Sequence, residues 1–284
     1  GWYKISYNGT TGYVRGDFVT LGGSSSVGSD GNLYGSSFKD GYIRYYAQDD
    51  PRYGGIIYST HGAPDQTIAK SACGPTAFSI VVSTLNDIDV PPTEMCRYAL
   101  AKGCRSYNSG TYPNLFSIAS HDSSNPKYNL NYESTGSVSR IKNLLSDGKH
   151  LAIVCMQSGH VTRGGHYIVL SGWQVINGRV FFKVYDPHRW NENYIYDSGL
   201  IDTVKNDGIV LLSQDVIESE RSTSYFVFSN KSNSSISHGG SSSGHSSSGS
   251  SSSHGSSSSG SGHSSSSSET VEKNKNFDPT KIFK

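Results

Sequence analysis

The chain has 284 residues, enough for one enzyme-sized domain with accessory segments. Its 24 basic and 23 acidic side chains leave a net charge of +1, so the balance excludes bulk attraction to nucleic acid or to an anionic membrane. No run of about 18 apolar residues occurs, and no helical membrane span is expected.

Residues 1–21, GWYKISYNGTTGYVRGDFVTL, alternate apolar and polar side chains around an Asn8-Gly9-Thr10-Thr11-Gly12 turn, the pattern of a hairpin. So short a stretch cannot bury a core by itself, which makes it a fragment of a small β-barrel. It opens at Gly1 within a strand pattern, with neither initiator Met nor signal peptide, and so reads as a piece cut from a longer protein. The order Gly1-Trp2-Tyr3-Lys4, turn, Gly12-Tyr13-Val14, then Asp17-Phe18-Val19 resembles the C-terminal half of a bacterial SH3-like (SH3b) domain. That resemblance implies attachment to cell-wall peptide and a secreted or cell-surface location. A generic hairpin carries the same alternation. Residues 22–37 are rich in Gly and Ser and read as a flexible linker.

Patterned sequence runs from residue 38 to 230. Tyr42 to Ala47 predicts a short strand, followed by a Gly/Pro/Asp-rich loop through Gln66. Cys73-Gly74-Pro75-Thr76 then opens a helix: Phe78, Val81, Val82 and Leu85 recur at i, i+3, i+4 and i+7, which predicts one buried face. Pro75 fits the first turn, where its missing N–H would have had no intrahelical partner. Further helices are predicted over Thr93 to Lys102, over Pro113 to Ser120, and around Val138 to Leu145 with Ser137 as N-cap and Gly148 beyond the end. The period then changes to that of strands: Leu151 to Met156, His166 to Trp173, Val175 to Val184 with an Asn177-Gly178 turn, Asn193 to Tyr196, Ile209 to Leu212 and Ser224 to Ser229. Helices first and antiparallel strands second point to an α+β domain. Residues 231–268 are almost wholly Ser and Gly with His238, His245, His254 and His263; such a segment cannot offset its ordering entropy and is expected to be disordered. Residues 269–284 read as a charged tail.

The four cysteines, Cys73, Cys96, Cys104 and Cys155, form no CxxC pair and no zinc-like spacing, so neither metal nor cofactor is expected. Cys96 and Cys104 are close enough in sequence for a local disulfide, which the residues leave open. Cys155, within the apolar run Leu151 to Met156, reads as an inert strand thiol. Cys73 differs in its place on a helix N-terminus, whose positive field favours thiolate, although a cysteine packed as a small hydrophobe fits the same position. Thiol catalysis needs a base and a group that fixes the base. His166 begins an apolar strand after Gly164-Gly165, and Asp186 ends the strand Val180 to Tyr185 ahead of Pro187. Adjacent antiparallel strands would set these two side by side, with the carboxylate orienting the imidazole. Each alone is a commonplace strand-end or turn residue. His160 and His188 lie near the same elements and compete for the role of base.

Three blocks, Ile68 to Ala77 around Cys73, Gly165 to Trp173 around His166, and Tyr185-Asp186-Pro187, resemble in this order the motifs of the peptidase C39-like family, papain-fold cysteine peptidases. The resemblance covers about residues 40–200. It implies a papain-like fold, helices packed on an antiparallel sheet, with Cys73 as nucleophile, His166 as general base and acid, and Asp186 as orienting group. The family often has a glutamine six residues before the cysteine to complete the oxyanion hole; here Thr67 holds that position, and Gln66 lies one residue further away. The resemblance implies amide hydrolysis through a thioester, with peptide or peptidoglycan as substrate. An inactive wall-binding or adhesive protein and a leader-peptide processing enzyme are the alternatives.

Overall fold

The computed structural model describes residues 2–7, 10–15, 43–190, 192, 194–232 and 272–274. The expected linker at 22–37 and the Ser/Gly-rich stretch beyond residue 232 lie outside them. Two compact units are present, one from the chain ends and one from its middle.

In the terminal unit, strand β1 (Trp2–Tyr7) pairs antiparallel with β2 (Thr10–Arg15), from Trp2 opposite Arg15 to Tyr7 opposite Thr10. This is the hairpin that the alternation predicts. Part of the expected charged tail, Glu272–Asn274, also forms a strand and pairs antiparallel with Trp2 to Lys4.

The central unit is mixed α and antiparallel β. A single turn, α1 (Ile68–Ser71), leads into α2 (Cys73–Leu85), followed by α3 (Pro92–Ala101) and α4 (Asn114–His121). Strand β3 (Asn131–Thr135) precedes α5 (Val138–Leu145), where the Ser137 hydroxyl accepts the Arg140 N–H at 3.2 Å as the expected N-cap. Then come β4 (His150–Met156), β5 (His166–Ile176), β6 (Arg179–Tyr185), β7 (Leu200–Ile201), β8 (Ile209–Ser213), α6 (Gln214–Glu220) and β9 (Tyr225–Ser229). The seven strands form one sheet in the order β3-β9-β4-β5-β6-β8-β7, antiparallel throughout.

Alternation along the central strands builds a core on each face. Ala152, Val154, Ile168, Leu170, Phe182, Val184, Tyr225 and Val227 pack with Ile141 and Leu145 of α5 and Ile217 of α6. The opposite face is aromatic: Phe116 of α4 meets Tyr167, Phe226 and Phe228 at ring separations of 5.2, 5.1 and 6.2 Å, and Phe78 of α2 meets Phe228 at 5.3 Å.

Three expectations differ from the structure. Helix α2 is buried on all sides rather than on one face, with only Thr84 of its thirteen residues outside the buried set, because Gly74, Thr76, Ala77, Ser79 and Ser83 are small enough to pack against neighbours. Residues 43–47 form no strand, having no ladder partner among the described residues, and Tyr194 to Asp197 are likewise irregular. The break placed near Trp173 is absent: β5 runs on to Ile176 through a register shift between Leu170 and Gly172, then turns at Asn177 and Gly178, both with positive φ.

Candidate active site

Cys73 is the first residue of α2. Its N-cap, Ala72, provides no side-chain acceptor, so the unpaired first-turn N–H groups direct their field at the thiol. His166 opens β5 and Asp186 follows directly on β6, and the pairing of these two strands brings them together. His166 Nε2 lies 2.5 Å from Asp186 Oδ1, and both side chains are buried. With Nε2 so engaged, Nδ1 is the ring nitrogen left for Cys73, and the two side chains shift each other's titration. Asp186 thus fixes the imidazole, which acts on the Cys73 thiol. His160 is not part of this arrangement: its Nδ1 meets Glu220 Oε1 at 2.5 Å and its Nε2 the Ser198 hydroxyl at 3.2 Å.

Burial alone would push the Cys73 thiol up. The hydrogen bond and positive charge of His166, with the backbone N–H groups of Tyr167 and Gly74, more than offset that and hold it below the ordinary thiol value. For His166, burial alone would push the imidazole down, yet the Asp186 charge and hydrogen bond, joined by Cys73, raise it well above the usual range. These shifts favour a thiolate–imidazolium pair. In Cys96, Cys104 and Cys155 burial dominates and the thiols shift up. In this structure all four cysteines are free thiols.

Asp186 is held from several directions. Its Oδ1 also accepts the His188 N–H at 2.7 Å, its backbone N–H donates to Gly208 O at 2.7 Å, and the Tyr45 hydroxyl donates to its carbonyl at 2.6 Å. This contact uses His188, the other competing histidine, through its backbone. Gly208 has φ +74°, and a Cβ there would run into the Tyr45 hydroxyl and come within 2.8 Å of Asp186 O. Gly208→Ala is expected to cost about 1–3 kcal/mol for the left-handed backbone alone. It should lower the melting temperature and the activity together, since the same carbonyl anchors Asp186; an unchanged melting temperature in a thermal scan would contradict this.

Gln66 lies at the end of the loop before α1. Its side-chain Oε1 accepts from Arg105 Nη2 at 2.8 Å, and its backbone carbonyl accepts the Tyr58 N–H at 2.7 Å. Arg105 belongs to the loop between α3 and α4, which packs on the start of α2: a Cβ on Gly74 would lie 3.1 Å from Thr111 Cβ and 3.2 Å from the Tyr167 ring. Sequence reasoning missed Arg105, because the run Arg105-Ser106-Tyr107-Asn108-Ser109-Gly110 has the composition of a solvated loop. Among the described residues no cluster of His, Cys, Asp and Glu is arranged to hold a metal.

A mixed helix and antiparallel-sheet fold that brings a helix-borne cysteine against a histidine–carboxylate pair is the arrangement of the papain-type class. Within that class, a model of the peptidase C39-like family matches residues 42–206, more than half of the chain, and the chain belongs to this family. No curated protein sequence matches it. Membership of a peptidase family implies a peptide substrate. No helix among the described residues is long and apolar enough to cross a membrane.

Proposed function

We propose that the chain is a cysteine peptidase or amidohydrolase in which Cys73, His166 and Asp186 form a catalytic triad. The observation that carries this reading is the buried His166–Asp186 hydrogen bond, joined to a cysteine at the start of α2 whose thiol His166 shifts down while the imidazole itself is shifted up. The Cys73 thiolate attacks the amide carbonyl, and the Cys73 backbone N–H, with the Gln66 amide, stabilises the oxyanion. His166 passes its proton to the departing amine, leaving a thioester, and then takes a proton from the water that hydrolyses it. Asp186 holds the ring in the tautomer and orientation that both steps need. The substrate class is the peptide of peptidoglycan, met at a cell surface or outside the cell. Support for this part comes from the amino-terminal hairpin and its SH3b-like order of residues, because a wall-binding module in the same chain raises the local substrate concentration.

Two measurements test the proposal. Iodoacetamide in slight excess at mildly acidic pH is expected to alkylate Cys73 alone among the four cysteines, because only its thiol is shifted down. Labelling spread over several cysteines, read by peptide mass mapping, would overturn the nucleophile assignment. Incubation with purified cell walls should release soluble fragments cut at one type of amide bond. Wall binding without cleavage would instead mark a recognition protein, and cleavage confined to soluble leader peptides a processing enzyme.

A further inference from the structure

We propose that Ser198, His160 and Glu220 form a second hydrolytic site, a serine triad that takes carboxylic esters as substrate. It lies apart from Cys73: Glu220 ends α6, which packs on the sheet face opposite α2, while His160 and Ser198 belong to the segments that follow β4 and precede β7. His160 Nδ1 meets Glu220 Oε1 at 2.5 Å, and its Nε2 meets the Ser198 hydroxyl at 3.2 Å. Carboxylate, imidazole and hydroxyl thus stand in the order that a serine nucleophile needs, with the acid on one ring nitrogen and the alcohol on the other. The ring is turned the other way from that of His166, whose Nε2 faces the carboxylate.

Each member is held in place. The second oxygen of Glu220, Oε2, accepts the His160 backbone N–H at 2.8 Å, so one carboxylate grips both the ring and the backbone of the same residue. Gly159 makes room for this: a Cβ there would lie 2.1 Å from Glu220 Cδ, and any side chain would displace the carboxylate. Gln157 N–H donates to Glu220 O at 2.8 Å and Ile195 N–H to His160 O at 2.8 Å, which ties the loop after β4 to the end of α6 and to the segment that carries Ser198. The His160 and Glu220 side chains are each 14 % exposed, so water competes little for their hydrogen bond, while Ser198 is exposed and open to a reactant.

The turn under the nucleophile supplies a further part. Leu200 N–H donates to Asp197 O at 3.1 Å, with Gly199 at φ +79°, closing a turn around Ser198 and Gly199. Gly199 O accepts the Ser213 N–H at 2.8 Å, and a Cβ on Gly199 would come within 2.6 Å of the Ser213 hydroxyl, so the turn is seated against the start of α6. Among the described residues the Gly199 N–H has no acceptor, and it directly follows the nucleophile, a position from which a backbone donor serves an oxyanion. The Tyr196 ring stands against His160 with 5.3 Å between centroids and is 56 % exposed, an apolar wall beside the base. An open site with one backbone donor suits an ester with an apolar group, because an alcohol leaves more readily than the amine of an amide. Ser198 Oγ bonds to the acyl carbon as its proton passes to His160 Nε2, and the C–O bond to the alcohol breaks, the alcohol leaving with that proton. Water then gives a proton to Nε2 as its oxygen takes the acyl group from Ser198, and the proton returns to Oγ. The sum is ester and water to acid and alcohol.

The test uses the full chain carrying Cys73→Ala, so its outcome does not depend on the reading of the first site. A biotinylated alkyl fluorophosphonate is expected to phosphonylate Ser198 with loss of fluoride, located by peptide mass mapping, and p-nitrophenyl butyrate is expected to be cleaved. Ser198→Ala, a change at an exposed turn position, should remove both while the thermal scan stays that of the parent. Glu220→Gln, which keeps an acceptor oxygen and loses the charge, should slow labelling and ester cleavage about 100-fold or more. Labelling of another residue or of none in the folded protein would overturn the site. Ester cleavage that survives Ser198→Ala, or Ser198 labelled at the parent rate in Glu220→Gln, would overturn it equally.

Discussion

Cys73→Ala is expected to abolish hydrolysis of cell-wall peptide, while the protein stays folded. In the proposed mechanism the whole reaction runs through a covalent bond to that sulfur, so no residual thioester pathway would survive its removal. The fold should survive because α2 is held by eleven other buried residues, from Gly74 to Leu85. The side chain lost is small, and its deletion leaves a cavity of about one sulfur atom, costing on the order of 1 kcal/mol. Circular dichroism and a thermal scan should therefore resemble those of the parent. Retained turnover in a folded Cys73→Ala protein would end the proposed mechanism.

Asp186→Ala is expected to be the next most damaging change, lowering turnover about 100-fold or more with a smaller effect on KM. Its signature lies in the pH profile. The proposed pair needs Cys73 ionised and His166 protonated, so activity is expected to be bell-shaped, with the acid limb set by a thiol shifted down and the alkaline limb by an imidazole shifted up. The Asp186 charge is the foremost cause raising His166, so removing it brings the alkaline limb to lower pH and narrows the window. Asp186→Asn, which keeps an acceptor oxygen and loses the charge, should show the same shift with a milder loss. An alkaline limb that stays in place in both variants would show that Asp186 does not act on His166. The sign for stability follows from the same linkage. Because His166 is raised in the folded state, its contribution is fully present below about 6.5, the unfolded value, and is lost as pH rises through the folded value.

These groups were legible because chemistry and periodicity coincide at each of them. Cys73 stands where a glycine, a proline and a recurring apolar face mark a helix start, and His166 and Asp186 stand at the two ends of a hairpin marked by Asn177-Gly178. The sheet's centre, β4 to β6, is apolar enough to read directly. Its edges are not: β3, Asn131-Tyr132-Glu133-Ser134-Thr135, is mostly polar, and β7 is two residues long, so neither stands out from a loop. Helix α6, Gln214 to Glu220, escaped for the same reason, with only Val216 and Ile217 buried. The surroundings of Gln66 were out of reach because Arg105 is 39 residues away in sequence, and nothing local distinguishes a buried guanidinium from a solvated one. The single-face reading of α2 failed on Thr76, Ser79 and Ser83, hydroxyl residues that a pattern assigns to water and the fold encloses.

The enclosure of α2 also bears on how the proposed activity would be lost. A nucleophile on a frayed edge or a mobile loop can drift from its base while the rest of the molecule stays folded, and such a protein loses activity before it melts. Here the sulfur rides on an element covered by sheet on one side and helices on the other, so its amides should exchange with solvent only through the rarest and largest openings. Heat or denaturant should therefore abolish activity and structure in a single step, and the hydrogen-exchange lifetime of α2 becomes a measure of how long the catalyst stays intact.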